Sequence, residues 1–197
     1  MSLFPPRYWA YSQLLLSKTS SWVSEWWLDH QSPERNGHDY GLFQKILYFW
    51  SRDPTPVLDH LYLGSAKNAA DFEGLTRNEI ALVVNATQQV PNFFPDHQEY
   101  HRLPIMDIRD ASLLPHRDLL HRTLDRVHDS IQSGQSVLVH CLMGASRSVA
   151  FVCLYLMRYH EKTADEAYQM VLNAREAACI NVNFLEELRR WDAPLET

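Results

Sequence analysis

Cysteine is scarce in this chain, with three among 197 residues at Cys141, Cys153 and Cys179. An odd number without metal-ligand spacing excludes a disulfide framework and a zinc site, and fits a reducing compartment. A surplus of basic charge is also missing. Lys and Arg number 18 against 24 Asp and Glu, a formal net charge of -6, so neither nucleic acid nor an anionic membrane is an expected partner. No stretch of about 18 consecutive apolar residues occurs, and the opening MSLFPPRYW carries neither a charged leader region nor a cleavage-like site. The expectation is a soluble intracellular protein, cytoplasmic with the nucleus as a second location. Asn85-Ala86-Thr87 matches a glycosylation sequon, which has little meaning without a secretory signal. Internal repeats and low-complexity tracts are absent.

What is present suffices for one substantial core, since 46% of residues are hydrophobic and 12% aromatic. The segment Ser51 to Pro56, SRDPTP, combines a charge pair with two prolines and marks a boundary near residue 55. Residues 1–55 form an aromatic-rich N-terminal extension, and five of the six tryptophans lie in residues 1–50. Two amphipathic helices are predicted there, around Ser20 to His30 and Leu42 to Trp50, the second with Phe43, Ile46, Leu47 and Trp50 at helical spacing. Such a stripe is expected to pack on the rest of the chain, with a homodimer or partner surface as the alternative.

Residues 56–197 are better patterned. Short strands are predicted at His60 to Gly64, Ala81 to Ala86, Tyr100 to Met106 and Ser136 to His140. Helices are predicted around Asn68 to Leu75, over Pro115 to Ser133 ending at Gly134, and over Val149 to Met157, which is apolar on nearly all sides. Thr163 and Glu166 form a capping-box pattern opening a helix to about Glu176, and a last helix spans Asn183 to Trp191. Strands alternating with helices indicate a small α/β domain, a central sheet flanked by helices, whose strand order the pattern leaves open.

The segment Val137 to Ser148, VLVHCLMGASRS, reads as a strand, a tight loop and a helix. Such a loop aims several backbone N–H groups at one point, and the helix dipole adds positive potential there, so the concavity suits a tetrahedral oxyanion. Gly144 permits the tight turn. Cys141 sits at the base of this cradle, where the donors and Arg147 favour its thiolate, the attacking form. Arg147 can offer a planar guanidinium to two phosphate oxygens at once. The uncharged loop positions Leu142, Met143, Ala145 and Ser146, with Gly144 and Arg147, form the substrate-binding surface. Cys153, in an apolar helix, and Cys179, near the C-terminal turn, lack such a loop and read as structural.

The run His140 to Ser148, H-C-x-x-G-x-S-R-S, resembles the signature of dual-specificity phosphatases of the protein tyrosine phosphatase superfamily. The resemblance implies a tyrosine phosphatase-like fold over roughly residues 55 to 192 and hydrolysis of phosphotyrosine and phosphoserine or phosphothreonine in proteins through a phosphocysteine, with no metal or cofactor. It implies that Ser148 donates to the Cys141 sulfur and helps it leave, and that His140 orders the loop and tunes the thiol. A proton donor for the leaving oxygen is also required. The stretch Tyr100 to Asp107, YHRLPIMD, is similar to the family's strand-then-aspartate segment, which makes Asp107 the candidate acid and Asp110 the runner-up. Val90 to Pro95 with Tyr100-His101 resembles slingshot phosphatases, whereas the signature and Asn181-Val182-Asn183-Phe184 are equally close to MAP kinase phosphatases. The physiological substrate stays open between them. Phosphoinositide and RNA phosphatases of the superfamily are alternatives disfavoured by the uncharged loop and by Ser148-Val149. A rhodanese-like transferase is disfavoured by its shorter interval between cysteine and arginine. A phosphoprotein-binding pseudophosphatase is disfavoured by the presence of both Cys141 and Arg147.

Overall fold

The computed structural model describes residues 53–191. The two helices predicted before residue 51 lie outside the described residues. Strand β1 (Thr55–Leu58) and β2 (Leu61–Gly64) are followed by helices α1 (Ala66–Ala70) and α2 (Phe72–Arg77), then β3 (Ile80–Asn85) and β4 (Glu99–Arg102). A 3-10 turn (Leu114–His116) leads into α3 (Arg117–Gln132), β5 (Ser136–His140), α4 (Arg147–His160), α5 (Ala164–Ala174) and α6 (Val182–Arg189). The strands make one five-stranded sheet in the order β1-β2-β5-β3-β4. All neighbours are parallel except β1 and β2.

Strand β5 is central and buried at all five positions, as parallel strands covered on both faces require. Side chains of successive strand residues point to opposite faces. Leu61, Leu63, Leu82, Val84, Val137 and Val139 therefore share one face, where they join the apolar side chains of α3 to α6 in a single core. On the opposite face Leu138 lies against Asn68 of α1 at Gly64, where an added Cβ would sit 2.9 Å from Leu138 and 3.1 Å from Asn68. Helix α4 is buried from Arg147 to Leu156. This matches its apolar sequence on nearly every side, and it runs through the middle of the helical layer, packed on α3, α5 and α6.

The structure also departs from the sequence reading. The predicted boundary segment supplies β1, an edge strand that tolerates Pro56 because an edge leaves some backbone N–H groups without ladder partners. The single helix expected over Asn68 to Leu75 is two, broken at Asp71, whose φ of -94° and ψ of 93° are extended. The strand expected to run to Met106 ends at Arg102, since Pro104 has no N–H to continue the ladder. The capping box is formed as predicted: Glu166 donates its N–H to the Thr163 hydroxyl at 3.3 Å, and its carboxylate accepts from the Thr163 N–H at 2.9 Å. No helix among the described residues is long and apolar enough to cross a membrane.

Candidate active site

The site forms where β5 ends and α4 begins, at the carboxyl edge of the parallel strands where α/β sheets place their ligands. The six residues between them, Cys141 to Ser146, make the loop, and Arg147 is already the first residue of α4. Cys141, Leu142, Met143, Ala145 and Ser146 are all at most 5% exposed. Such burial obliges the loop's backbone groups to find partners.

Those partners explain how the loop is aimed. The carbonyl of Leu142 accepts from the N–H of Ala66 at 3.0 Å, and that of Ala145 accepts from the N–H of Cys179 at 2.7 Å. Between them, Arg175 donates from Nη2 to the Met143 carbonyl at 3.3 Å and from Nε to the Gly144 carbonyl at 2.9 Å. Four consecutive carbonyls are thus held on the outer side. In a planar trans peptide the next N–H points the opposite way, so the N–H groups of Met143, Gly144, Ala145 and Ser146 turn inward. The Gly144 N–H lies 3.2 Å from the Cys141 sulfur. Gly144 makes the turn with φ of +70°, and a Cβ there would fall 2.6 Å from the carbonyl oxygen of Gly64, so both the dihedral and the space demand glycine.

The Ser148 hydroxyl donates to the Cys141 sulfur at 3.2 Å. Burial opposes ionisation of this thiol and is the largest single influence. The charge of Arg147 and hydrogen bonds from the side chain and backbone of Ser148 together outweigh it, despite an opposing contribution from Asp107, and the thiol lies below its ordinary range. His140 is fully buried, and burial drives its pKa down to about 4, against a hydrogen bond to the Cys141 carbonyl and with the help of Arg102 and Arg147. Neutral imidazole beneath the loop leaves Arg147 as the charge favouring the thiolate. Cys153 is buried and its thiol pushed up by desolvation. Cys179 is half-buried and meets the loop through its backbone N–H.

Arg147 reaches back across the loop. Its side chain is 4% exposed, its Nη1 donates to the Ile105 carbonyl at a long 3.4 Å, and its Nε lies 3.6 Å from the Asp107 carboxylate. That Nε has no hydrogen-bond partner. A buried guanidinium with unfilled donor capacity is a receptor for an oxyanion. Asp107 also accepts from the Ser146 hydroxyl at 3.1 Å and from Asn181 Nδ2 at 3.4 Å. Asp110 is exposed. Of the two candidate acids, Asp107 is the one brought to Arg147 and the loop.

Three polar residues at this site, Asn181, Asn183 and Arg175, carried no assigned role in the sequence reading. Asn181 donates its backbone N–H to the Ser146 hydroxyl at 3.1 Å and its amide to the Ile108 carbonyl at 2.9 Å, while Asn183 reaches the Arg109 carbonyl at 2.7 Å. The start of α6 thereby fixes the loop that carries Asp107. In sequence Asn181 is indistinguishable from an ordinary helix N-cap, which it also is. Arg175 follows the last turn of α5, where a basic residue is ordinary on a solvated helix end, so no sequence signal marked it.

A cysteine loop, an arginine that opens a helix and an aspartate loop thus come together at the carboxyl edge of the parallel strands of a mixed sheet, an arrangement suited to an oxyanion. The family model described as dual specificity phosphatase, catalytic domain, matches residues 61–193, and the chain belongs to that family. It is 37% identical over 164 residues to protein phosphatase Slingshot homolog 3 of Homo sapiens, covering 83% of this chain and 24% of that protein. The chain thus spans about a quarter of the length of that curated relative. Among solved structures it is similar to human DUSP28, with a TM-score of 0.65 and 32% identity over 71% of this chain and 92% of that one. A mouse putative dual specificity phosphatase, crystallised with zinc tungstate, gives a TM-score of 0.66 and 33% identity, covering 72% and 87%.

Proposed function

We propose that residues 56–197 form a catalytic domain that hydrolyses phosphotyrosine and phosphoserine or phosphothreonine in proteins through a phosphocysteine, without a metal. The observation that carries this reading is the Cys141 sulfur held by two donors at 3.2 Å, from Gly144 and Ser148, beside the buried Arg147. In the first step the thiolate attacks phosphorus, the ester P–O bond breaks, and Asp107 gives its proton to the departing oxygen. Arg147 and the inward N–H groups of the loop hold the three remaining phosphoryl oxygens. In the second step Asp107 takes a proton from water as that water attacks phosphorus, the S–P bond breaks, and phosphate leaves. Ser148 then stabilises the returning thiolate.

Asp107 and the phosphate compete for Arg147. A bound dianion is the stronger partner for a guanidinium, through bidentate geometry, so its arrival releases the carboxyl toward the leaving group. His140 supports the loop from below. A protein substrate is favoured by the rim, where Met106, Ile108 and Val182 are 55%, 45% and 47% exposed. An apolar rim beside an uncharged loop suits a polypeptide better than a multiply phosphorylated inositol ring or an RNA end. Similarity to Slingshot proteins and to DUSP28 supports phosphoproteins as the substrate class. The competing reading is a binding module that recognises phosphorylated partners without turnover.

Hydrolysis of p-nitrophenyl phosphate by wild type and by Cys141→Ser, both with chelator, separates the readings. Turnover in wild type alone supports catalysis. No turnover from folded wild type, with retained phosphopeptide binding, supports the binding module. A panel of phosphotyrosine, phosphothreonine, phosphoserine and phosphoinositide substrates then assigns the preference.

A further inference from the structure

Arg175 is a fully buried arginine, 0% exposed and among the largest of the wholly buried side chains of the described residues. A guanidinium taken out of water is costly unless its donors are used. Three of them have identified uses: Nε on the Gly144 carbonyl at 2.9 Å, Nη2 on the Met143 carbonyl at 3.3 Å and Nη1 on the Thr55 hydroxyl at 3.0 Å. Two of these bonds go to consecutive peptide groups of the loop that carries Cys141. The third ties the loop to β1 at the far edge of the sheet.

We propose that Arg175 is a positioning residue of the oxyanion site. Its fork holds the Met143 and Gly144 carbonyls outward, which keeps the N–H groups of Gly144 and Ala145 aimed at the Cys141 sulfur and at the phosphate that will sit above it. The geometry is specific to arginine. A planar guanidinium spans two adjacent carbonyls with donors fixed in one plane, whereas a lysine ammonium is a point charge on a flexible stem. The contact is also tight, because a Cβ on Gly144 would lie 2.9 Å from Arg175 Nη2. Without the fork, the two peptide planes are free to rotate. A carbonyl turned inward would then place a partial negative charge beside the thiolate and the phosphate.

The inference rests on the phosphatase reading only for its effect on turnover. Two measurements test it without turnover: the pH dependence of Cys141 alkylation by iodoacetate, and the affinity for orthovanadate followed by protection from that alkylation. In Arg175→Met the alkylation midpoint is expected to move to higher pH and vanadate affinity to fall at least tenfold. A stability control, Leu124→Ala, removes core packing away from the loop and is expected to lower the melting temperature while leaving both readouts within twofold of wild type. A folded Arg175→Met protein with an unchanged alkylation profile and vanadate affinity would overturn the proposal. If that variant does not fold, Arg175→Lys decides. Vanadate affinity reduced at least threefold supports the fork, and a lysine protein equal to wild type in both readouts refutes it. Absence of hydrolysis by wild type, with the Arg175 effects intact, counts against the phosphatase reading and not against this one.

Discussion

Replacing Asp107 by Asn should separate catalysis from thiol activation, because the carboxylate acts on the two with opposite signs. Asparagine keeps the shape and an oxygen that accepts from Ser146, now 3.1 Å away, and from Asn181. It loses the proton to be donated and the charge that lies 3.6 Å from Arg147 Nε. General acid catalysis is worth roughly 10²- to 10⁴-fold, so kcat on phosphoserine and phosphothreonine peptides, whose alkoxide leaving groups are poor, should fall by about that factor. The fall should be smaller for p-nitrophenyl phosphate, whose phenolate leaves unaided. Asp107 also opposes ionisation of Cys141, so its neutralisation should move the alkylation midpoint of the thiol to lower pH. Nor should vanadate bind less well. A unit charge about 4 Å away is worth about 4 kcal/mol at an effective dielectric near 20, and that ion pair no longer competes with the anion for Arg147. The assay combines steady-state kinetics on both substrate types with the iodoacetate pH profile. Peptide turnover unchanged in Asp107→Asn and lost in Asp110→Asn would refute the assignment. A thiol midpoint displaced upward would refute the electrostatic reasoning.

Two further predictions concern the frame of the loop. His140 has a folded-state pKa of about 4, depressed by burial, against about 6.5 in the unfolded chain. Between those values the unfolded state binds more protons, so stability should fall as pH drops from about 6.5 toward 4, by about 3 kcal/mol in total. Urea melts of wild type and His140→Asn across that window check it, and equal slopes would contradict it. Gly144→Ala places a Cβ 2.6 Å from the Gly64 carbonyl oxygen at a φ of +70°. The dihedral alone costs about 1–2 kcal/mol, and the backbone clash adds to it. A lower melting temperature and weakened vanadate binding are expected, and wild-type behaviour in both would show that the loop can shift at no cost.

The sequence was most informative where one requirement dominated. Ser136 to His140 reads as a buried strand because Val137, Leu138 and Val139 are apolar and the loop follows, and the strand has the predicted bounds. The buried helix after it and the box at Thr163 were equally plain, since apolar periodicity and capping are local properties. Non-local pairing was less legible. The Thr55–Leu58 strand exists only by pairing with Leu61–Gly64, and nothing within SRDPTP announces it. The strand order and the outer belt of donors around the loop depend on groups far apart in sequence, such as Ala66, Arg175 and Cys179. Spacing alone left Asp107 and Asp110 three residues apart and unresolved. The contacts of Asp107 with Ser146, Arg147 and Asn181 distinguish them.

The central claim is that phosphorus is transferred to the Cys141 sulfur. Mixing the protein with a phosphorylated substrate, quenching in acid within milliseconds and mapping the peptides by mass spectrometry tests it directly. The expected result is one added phosphoryl group on the peptide containing Cys141, more of it in Asp107→Asn with an aryl phosphate because hydrolysis of the intermediate loses its base, and none in Cys141→Ser. Turnover without any phosphocysteine in either protein, or a phosphoryl group on another residue, would contradict the account.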